Sequence, residues 1–234
     1  MRCAITIQNL SFSYGDKNIL SALGMKINEG QITGLIGPNG SGKSTLFGQI
    51  LGQFNTQAVR SETGLQLSDV LLMSQETILP DMLTVSEAFD LLIALNASHH
   101  SDKSNIIDTW STVEKDRYRL LENRRCGKCS TGEKKWLFLR FILSLNKKAY
   151  LLDEPTAGVD PEYRSLIWQL LHEKTKTNCS IVVSSHLLDE IGGNCDRICL
   201  LKSNKIETYS NSSQFLSETG TRDLDQAFLK ALSK

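Results

Sequence analysis

Apolar and polar residues follow two different periods along this chain. Near the start, CAITIQNLSF and KNILSALGMKI alternate with a period of two around the turn residues SYGDKN, which predicts a pair of antiparallel strands. Four later strands are predicted from short apolar runs: QITGLIG (31–37), VLLM (70–73), AYLLD (149–153) and SIVVSS (180–185). Because few polar residues interrupt these runs, we expect a mainly parallel sheet that is covered on both faces.

Stretches with the helical period alternate with these strands. They predict helices over TLFGQILGQF, TVSEAFDLLIAL, STVEKDRYRLLENRR, PEYRSLIWQLLHEKT, LLDEIGG and DLDQAFLKAL. RICLLK and KIETYS predict a late pair of strands, and NASHHSDKSN predicts a loop. The sequence therefore predicts one α/β domain over 1–234. Its core is formed by 1–75 and 147–234, and roughly 76–146 form an inserted, mainly helical subdomain.

Composition narrows the classes of function. The chain has 26 basic and 26 acidic residues, a balance that gives no general attraction to nucleic acid or to anionic lipid. The most apolar stretch, WLFLRFILSL (136–145), contains Arg140 and is far shorter than the roughly twenty apolar residues of a membrane span. MRCAITIQNL lacks the basic and apolar regions of a signal peptide. We therefore expect any membrane role to depend on a partner protein.

Six cysteines raise the question of a metal site or a redox pair. A long chain without a secretory signal is expected to keep free thiols in a reducing compartment. Cys126-Gly-Lys-Cys129 has the spacing of half a zinc site, and Cys195 with Cys199 would be the other half. However, CDRIC (195–199) fits a strand better than a pair of ligands. We favour free thiols over zinc or redox chemistry.

The segment GPNGSGKST (37–45) carries the first candidate chemistry. It fits the pattern G-x-x-x-x-G-K-[ST] between a predicted strand and a predicted helix, where glycines let backbone N–H groups point at phosphate oxygens. Lys43 is predicted to reach the outer phosphates and Ser44 to bind Mg²⁺. The predicted nucleotide-binding residues are Gly37, Pro38, Asn39, Gly40, Ser41, Gly42, Lys43, Ser44 and Thr45. The alternative is a glycine-rich turn without a ligand.

AYLLDEP (149–155) predicts a buried strand that ends in two carboxylates. Ligands of an open parallel sheet bind at the carboxyl ends of its strands, so both carboxylates are expected at that edge. Asp153 is predicted to hold Mg²⁺, and Glu154 is predicted to orient and deprotonate an attacking water molecule. The alternative is that one of the two only caps the next segment.

Five motifs in a fixed order carry a specific resemblance. They are GPNGSGKST, Gln75 after VLLMS, STGE before LLDEP, GVD and SSH. From about residue 4 to 232, the chain resembles the ATP-binding subunit of an ABC (ATP-binding cassette) transporter. This resemblance implies a P-loop NTPase core, ATP and Mg²⁺ as ligands, and ATP hydrolysis. It also implies a transmembrane permease as partner, a peripheral position on the cytoplasmic face of a membrane, and no nucleic-acid partner.

The resemblance implies roles for four further residues. Tyr14 matches the aromatic residue that stacks on adenine, and Gln75 matches the glutamine that senses Mg²⁺ and water. Asp160 matches the aspartate that contacts a second ATP-binding subunit, and His186 matches the catalytic histidine that contacts the γ-phosphate. Each has a simpler alternative: a strand-end tyrosine, an exposed glutamine, an N-cap before Pro161 and a structural histidine.

CSTGE (129–133) corresponds without a gap to the segment that usually reads LSGGQ in this family. The resemblance implies that it completes the ATP site of a second subunit in a head-to-tail dimer. The residues expected to contact the partner's nucleotide are Ser130, Thr131, Gly132 and Glu133. Thr131 is the main departure, because a β-branched side chain replaces a glycine near the nucleotide. The alternative is a capping box of Ser130 and Glu133 at a helix start.

The leading hypothesis is an ATPase that works as a homodimer or heterodimer and powers a permease, which docks near 75–95. ILPDMLTVSEAF and DLDQAFLKAL resemble exporter subunits, and no added C-terminal regulatory domain is expected, which favours export. One alternative is a weakly hydrolysing regulatory subunit paired with an active homologue, although Glu154 and His186 argue against it. A family member acting on ribosomes or DNA, and a GTPase based on SNKIE (203–207), have less support.

Overall fold

The first strands of the chain form a small antiparallel sheet in the computed structural model, which describes residues 2–76, 79–96 and 102–233. Its strands are β1 (Cys3–Tyr14), β2 (Lys17–Asn28) and β4 (Val59–Ser61). β1 lies in the centre and pairs antiparallel with both neighbours. The predicted N-terminal pair is therefore confirmed. β4 was not predicted, because its short stretch carries too little pattern.

A six-stranded sheet contains the predicted apolar runs. Its strands are β3 (Ile32–Ile36), β5 (Val70–Met73), β6 (Ala149–Asp153), β7 (Ser180–Ser184), β8 (Arg197–Lys202) and β9 (Lys205–Tyr209). In the order β5-β6-β7-β3-β8-β9, only β9 is antiparallel to its neighbour among the described strands. Every residue of β3, β6 and β7 is buried. The predicted α/β fold with a mainly parallel sheet is confirmed.

Helices follow most of these strands along the chain. The described helices are α1 (Lys43–Gly52), α2 (Val85–Leu95), α3 (Lys103–Asp108), α4 (Thr112–Leu121), α5 (Thr131–Ser144), α6 (Pro161–Thr175), α7 (Leu188–Asn194), α8 (Ser212–Thr219) and α9 (Leu224–Ser233). Single 3₁₀ turns lie at Leu67–Asp69 and Cys126–Lys128. Capping boxes begin α2, α4 and α5, in which a Ser or Thr hydroxyl and a Glu carboxylate bond reciprocally to backbone N–H groups.

Helix α4 ends earlier than its pattern predicts. The sequence predicts a helix to Arg125, but the structure ends it at Leu121. Beyond that point the carbonyl groups of Glu122 and Arg124 accept hydrogen bonds from Ser86 and Val85, at 3.0 Å each. These are backbone N–H groups of the first turn of α2, which have no partner inside that helix. Tertiary pairing therefore replaces the last helical turn.

Two short helices also differ from the prediction. The predicted loop NASHHSDKSN covers 96–105, of which 97–101 lie outside the described residues, and Lys103–Asp108 form α3. α8 was missed because only Phe215 and Thr219 of its residues are buried. Its end signals were present in the sequence: the Asn211 side chain accepts the Gln214 N–H at the start, and Gly220 ends the helix with a φ of 65°.

The described chain separates into two compact units. Unit 1 comprises Met1–Gln75, Lys147–Pro155 and Leu171–Lys234, and it contains both sheets. Unit 2 comprises Glu76–Asn146 and Thr156–Leu170. The sequence-based division assigns 156–170 to the core instead, and its boundaries stay a prediction. Among the described residues, no helix combines the length and the apolar character that a bilayer span requires.

Each unit has its own apolar core. In unit 1 the inner faces of β1 and β2 and the apolar residues of α1 join the larger sheet in one cluster. In unit 2, four aromatic rings pack together: those of Phe89, Trp110 and Phe141 stack, and the Tyr118 ring meets them edge-on. The Phe89 and Phe141 rings are 4.2 Å apart at their centroids and nearly parallel. Aromatic packing of this kind stabilises the core of unit 2 beyond the burial of apolar area alone.

Candidate nucleotide-binding site

A cavity of about 550 Å³ lies in unit 1 at the carboxyl ends of β3, β6 and β7. It brings together ten of the residues that the sequence analysis selected and one that it did not, Ile19 of β2. The lining residues are Ile19, Asn39, Gly40, Gly42, Lys43, Ser44, Thr45, Gln75, Asp153, Glu154 and His186. The parallel sheet therefore gathers four separated motifs at one edge, as its topology requires.

The loop between β3 and α1 has a conformation that depends on glycine. Gly40 and Gly42 have φ values of 75° and 103°, in the region that other residues rarely adopt. A Cβ atom on Gly37 would lie 2.5 Å from the Leu201 carbonyl oxygen, so the backbone there leaves no room for a side chain. Within the described residues, the buried Ser41 hydroxyl has no hydrogen-bond partner. The loop thus presents an unsatisfied polar group next to the start of α1, which suits an anion.

Lys43 is buried at the base of this loop. Its ammonium group donates to the carbonyl oxygens of Gly37 at 2.8 Å and Pro38 at 3.3 Å. Burial lowers the pKa of Lys43, and the negative charges of Glu154 and Asp153 partly oppose this shift. In the free chain, the two carboxylates therefore offset only part of the cost of burying the ammonium. The negative charge of a bound phosphate would stabilise it.

Asp153 and Ser44 form the second part of the site. The Ser44 hydroxyl donates to Oδ2 of Asp153 at 2.5 Å, and the Ser184 hydroxyl donates to Oδ1. These bonds connect Asp153 to α1 and β7, so a role limited to capping the next segment does not account for them. A carboxylate, a hydroxyl and the nearby Gln75 amide are the oxygen ligands that Mg²⁺ prefers, so these residues fit this ion.

Glu154 and His186 form the third part. Glu154 Oε2 lies 2.7 Å from Nδ1 of His186. Glu154 has a φ of 52°, an uncommon value for a residue with a side chain, and its N–H donates to the Ser184 carbonyl at 3.1 Å. The Glu154 carboxylate is buried, whereas the His186 side chain is 55% exposed. A buried carboxylate that contacts an exposed imidazole at a cavity can accept a proton from water.

Four predicted nucleotide-binding residues are not among those that line the cavity: Tyr14, Gly37, Pro38 and Ser41. Tyr14 ends β1, is 63% exposed, and meets the ring of Phe12 edge-on with centroids 4.8 Å apart. Its stacking on adenine stays a prediction. Ser184, in contrast, was not selected, although SIVVSS places a polar residue at the same sheet edge as Asp153. That edge position is the signal that would have identified it.

In unit 2, CSTGE forms the start of α5. Ser130 is the N-cap: its hydroxyl accepts the Glu133 N–H at 3.1 Å, and Glu133 Oε2 accepts the Ser130 N–H at 2.7 Å. The alternative of a capping box is confirmed as local structure. Arg124 donates to both oxygens of Glu133, at 3.1 and 3.2 Å. The carboxylate that replaces the family's usual glutamine is thus paired with a cation.

Gly132 and Asp160 meet within the same unit. A Cβ atom on Gly132 would lie 2.8 Å from Oδ2 of Asp160 and 2.9 Å from Cδ2 of Tyr163. Asp160 Oδ1 accepts the Tyr163 N–H at 3.1 Å, so the N-cap alternative for Asp160 is also confirmed. Ser130 and Thr131 remain exposed. The glycine is therefore required by close packing inside this chain, independently of any ligand.

All six cysteines are free thiols. Burial raises the pKa of Cys126 and of Cys129, so neither carries the features of a reactive thiolate. Among the described residues, no group of three or more His, Cys, Asp or Glu side chains could hold a metal ion together.

A parallel sheet with a glycine loop before α1 and carboxylates at the end of β6 defines the P-loop class of nucleotide-binding domain. Residues 20–157 match the family model described as ABC transporter. The chain belongs to this family, and it is an ATP-binding subunit of the kind that hydrolyses ATP to power transport.

Relatives by sequence cover most of the chain. It is 29% identical over 233 residues to protein McbF of Escherichia coli, covering 97% of this chain and 94% of that protein. It is 31% identical to the Nod factor export ATP-binding protein I of Rhizobium etli, covering 85% of this chain and 65% of the relative. It is also 31% identical to the tungstate uptake system ATP-binding protein TupC of Peptoclostridium acidaminophilum, covering 86% and 96%.

Solved structures share the fold. An ATP-binding subunit of an ABC transporter superposes with a TM-score of 0.82 at 21% identity, covering 99% of this chain and all of that one. A nucleotide-free ATP-binding cassette gives a TM-score of 0.73 at 20% identity, covering 97% and 98%. These likenesses confirm the α/β architecture of the P-loop domain.

Proposed function

We propose that this chain hydrolyses Mg-ATP and thereby powers a separate transmembrane permease as the cytoplasmic subunit of an ABC exporter. One observation carries the proposal for hydrolysis: a single cavity contains Lys43, Asp153 and the Glu154–His186 pair. A phosphate-binding cation, a metal ligand and a base are the three groups that phosphoryl transfer to water requires.

The phosphate loop binds the triphosphate of ATP. Its glycine conformation, the unpartnered Ser41 hydroxyl and the start of α1 all suit phosphate oxygens. Lys43 supplies the positive charge that burial has left incompletely compensated. Tyr14, whose exposed ring lies at the end of β1, stacks on the adenine base.

Ser44, Asp153 and Gln75 hold Mg²⁺. Mg²⁺ held there would supply positive charge to offset the negative charge that develops on the phosphate during phosphoryl transfer. Support comes from the 2.5 Å bond between Ser44 and Asp153, which brings the two oxygen atoms next to each other. Gln75 lines the same cavity.

Glu154 is the general base, and His186 holds its carboxylate. The 2.7 Å contact to Nδ1 fixes the position of Glu154 Oε2 and leaves Nε2 of the same ring for a γ-phosphate oxygen. The positive φ of Glu154 supports this role, because strained backbone of this kind is concentrated at functional sites.

Ser130, Thr131, Gly132 and Glu133 contact the nucleotide of a second subunit in a head-to-tail dimer, and Asp160 lies at the dimer contact. The exposed Ser130 and Thr131 at the N-terminus of the 14-residue helix α5 support this arrangement, since helix N-termini attract phosphate. The close approach of Gly132 and Asp160 supports the assignment of both segments to the same dimer contact.

Unit 2 docks the permease through residues near 75–95. Among the residues of this stretch that the structure describes, three large apolar side chains are exposed: Met82, Leu91 and Leu95, at 76%, 41% and 71%. Exposed apolar surface favours burial against a partner. The comparisons do not decide the direction of transport, because similar relatives are named for both export and uptake. ILPDMLTVSEAF, of which Ile78 lies outside the described residues, and the amphipathic α9 support export.

Hydrolysis of Mg-ATP by the purified chain tests this function. We expect turnover by the wild type, and almost none by Glu154→Gln, which retains nucleotide binding because the substitution removes only the base. If Glu154→Gln turned over like the wild type, the assignment of the base would be wrong. If neither protein turned over although both bound ATP, the alternative of a regulatory subunit with an active partner, suggested by Thr131 in place of glycine, would replace the proposal.

A further inference from the structure

Ser184 is the last residue of β7, and the sheet places it beside both carboxylate residues of the site. The ladder between β6 and β7 ends with the register pair Asp153 and Ser184. The Ser184 side chain is fully buried, in a strand whose other interior positions are apolar. A hydroxyl in such surroundings is costly unless it is hydrogen-bonded, so its bonds indicate why it is there.

The Ser184 hydroxyl uses both of its bonding capacities on the site. It donates to Oδ1 of Asp153 and accepts the backbone N–H of Glu154 at 3.1 Å. The other oxygen of Asp153 is bonded to Ser44 at 2.5 Å. Two hydroxyls, one from β7 and one from the first turn of α1, therefore fix the plane of the Asp153 carboxylate.

The same residue supports the turn that directs Glu154. The Glu154 N–H donates to the carbonyl oxygen and to the hydroxyl oxygen of Ser184, at 3.1 Å each. This shared bond holds the residue at its positive φ, from which the side chain reaches His186. Ser184 thus contacts the side chain of one carboxylate residue and the backbone of the next.

We propose that Ser184 is a positioning residue for ATP hydrolysis, whose hydroxyl holds the Asp153 carboxylate in the orientation that receives Mg²⁺ and steadies the Glu154 turn. This inference rests on the proposed roles of Asp153 and Glu154. Ser185 offers a natural contrast. It is also buried, but its hydroxyl accepts the Leu187 N–H at 3.0 Å, a bond within its own turn.

A matched pair of variants in the full chain separates the effect of the hydroxyl from the effect of side-chain volume. Ser184→Thr and Ser184→Val add the same volume, and only threonine keeps the hydroxyl. The readout is the affinity for a fluorescent ATP analogue in EDTA and in Mg²⁺, together with the Mg²⁺ concentration that gives half-maximal turnover. Ser185→Ala is the control for loss of a neighbouring buried hydroxyl.

We expect Ser184→Val to bind the analogue in EDTA like the wild type but to lose about tenfold of the gain that Mg²⁺ brings, as for one hydrogen bond to a charged group. Its half-maximal Mg²⁺ concentration should rise by a similar factor. Ser184→Thr and Ser185→Ala should stay within about twofold of the wild type, a change worth well under one such bond. Wild-type behaviour of Ser184→Val, or equal losses in the valine and threonine variants, would overturn the inference.

Two further variants keep the outcome decisive. If valine prevents folding, as circular dichroism would reveal, Ser184→Ala removes the hydroxyl without adding volume, and the same comparison with Ser185→Ala applies. Asp153→Asn separates the inference from the proposed function. If Asp153→Asn loses the Mg²⁺ gain and the Ser184 variants keep it, only the role of Ser184 fails. If the wild type itself shows no Mg²⁺ gain, the proposed function fails, and the inference fails with it.

Discussion

The cavity of unit 1 and the CSTGE segment of unit 2 differ in how far the folding of the chain accounts for the residues found there. The cavity and its phosphate loop contain features that folding alone leaves unaccounted for: a buried ammonium and a positive φ at Glu154 in the cavity, and an unpartnered hydroxyl on Ser41 in the loop. In CSTGE, by contrast, Ser130 and Glu133 cap α5, and Gly132 makes room for Asp160 and Tyr163.

This difference separates two kinds of support for a functional site. Strain and unsatisfied polar groups in the cavity indicate a ligand directly. The residues of CSTGE match a family motif and are also sufficient for a helix start, so the match alone does not separate a structural role from a binding role.

The largest effect is expected at the Glu154–His186 pair. Glu154→Gln should lower turnover by about 10²- to 10⁴-fold, the usual contribution of a general base. His186→Ala should lower it less, and the double variant should be no worse than Glu154→Gln alone, because residues that act as a unit are not additive. Turnover of all three proteins at saturating Mg-ATP gives the answer. A double variant that lost the product of the two single effects would show that the residues act separately.

Lys43→Ala should weaken ATP binding by about 10- to 100-fold, since hydrogen bonds to charged groups contribute about 1.5–3 kcal/mol. The free energy of unfolding should change little or rise, because a buried and incompletely compensated ammonium is removed. Equilibrium binding of a fluorescent ATP analogue and urea unfolding measure both quantities. A variant that lost stability but kept its ATP affinity would assign Lys43 to the fold instead.

Gly132→Ala should show the opposite pattern to Lys43→Ala: its main effect should be a lower free energy of unfolding. Its Cβ would lie 2.8 Å from Asp160 and 2.9 Å from Tyr163, an overpacking that typically costs about 1–3 kcal/mol. Gly48→Ala is the matched control in the interior of α1: its Cβ would meet nothing within 4 Å, so stability should rise by up to about 1 kcal/mol. Urea unfolding compares the two. Equal stability of the variants would contradict the packing role of Gly132.

Thr131→Gly should have the smallest effect on function. Thr131 is exposed at the first position of α5, and threonine is itself a weak helix former, so its replacement should lower stability by less than about 0.5 kcal/mol. Turnover should stay equal or increase, because the β-branched side chain no longer limits the approach of nucleotide. A marked loss of turnover at unchanged folding would mean that the contact with nucleotide depends on the threonine side chain itself.

Long elements and the phosphate loop were predictable because their pattern is local. The strand AYLLD, the helix over 161–175 and the glycines of 37–42 follow from period, burial and turn chemistry. The α/β order then places the phosphate loop, Asp153 and Glu154 at one sheet edge, whereas Gln75 and His186 were predicted from the family resemblance. Most of the cavity lining was therefore available from the sequence.

What the sequence did not predict depends on contacts between distant segments. The early end of α4 follows from backbone bonds to residues 85 and 86, and Ser184 acquires its role only through the β6–β7 register. The packing of Gly132 against Asp160 joins two motifs 28 positions apart in sequence. None of these pairings leaves a periodic signal in the segment that carries it.

The proposed homodimer requires that CSTGE completes an ATP site on a second copy of this chain. Its most direct test is the solution mass of Glu154→Gln with Mg-ATP, measured by light scattering beside Lys43→Ala/Glu154→Gln, which should bind ATP poorly. We predict a dimer for the single variant with Mg-ATP, a monomer without nucleotide, and a monomer for the double variant throughout. Monomers of Glu154→Gln under saturating Mg-ATP would contradict a homodimeric site and leave CSTGE in this chain as the start of a helix.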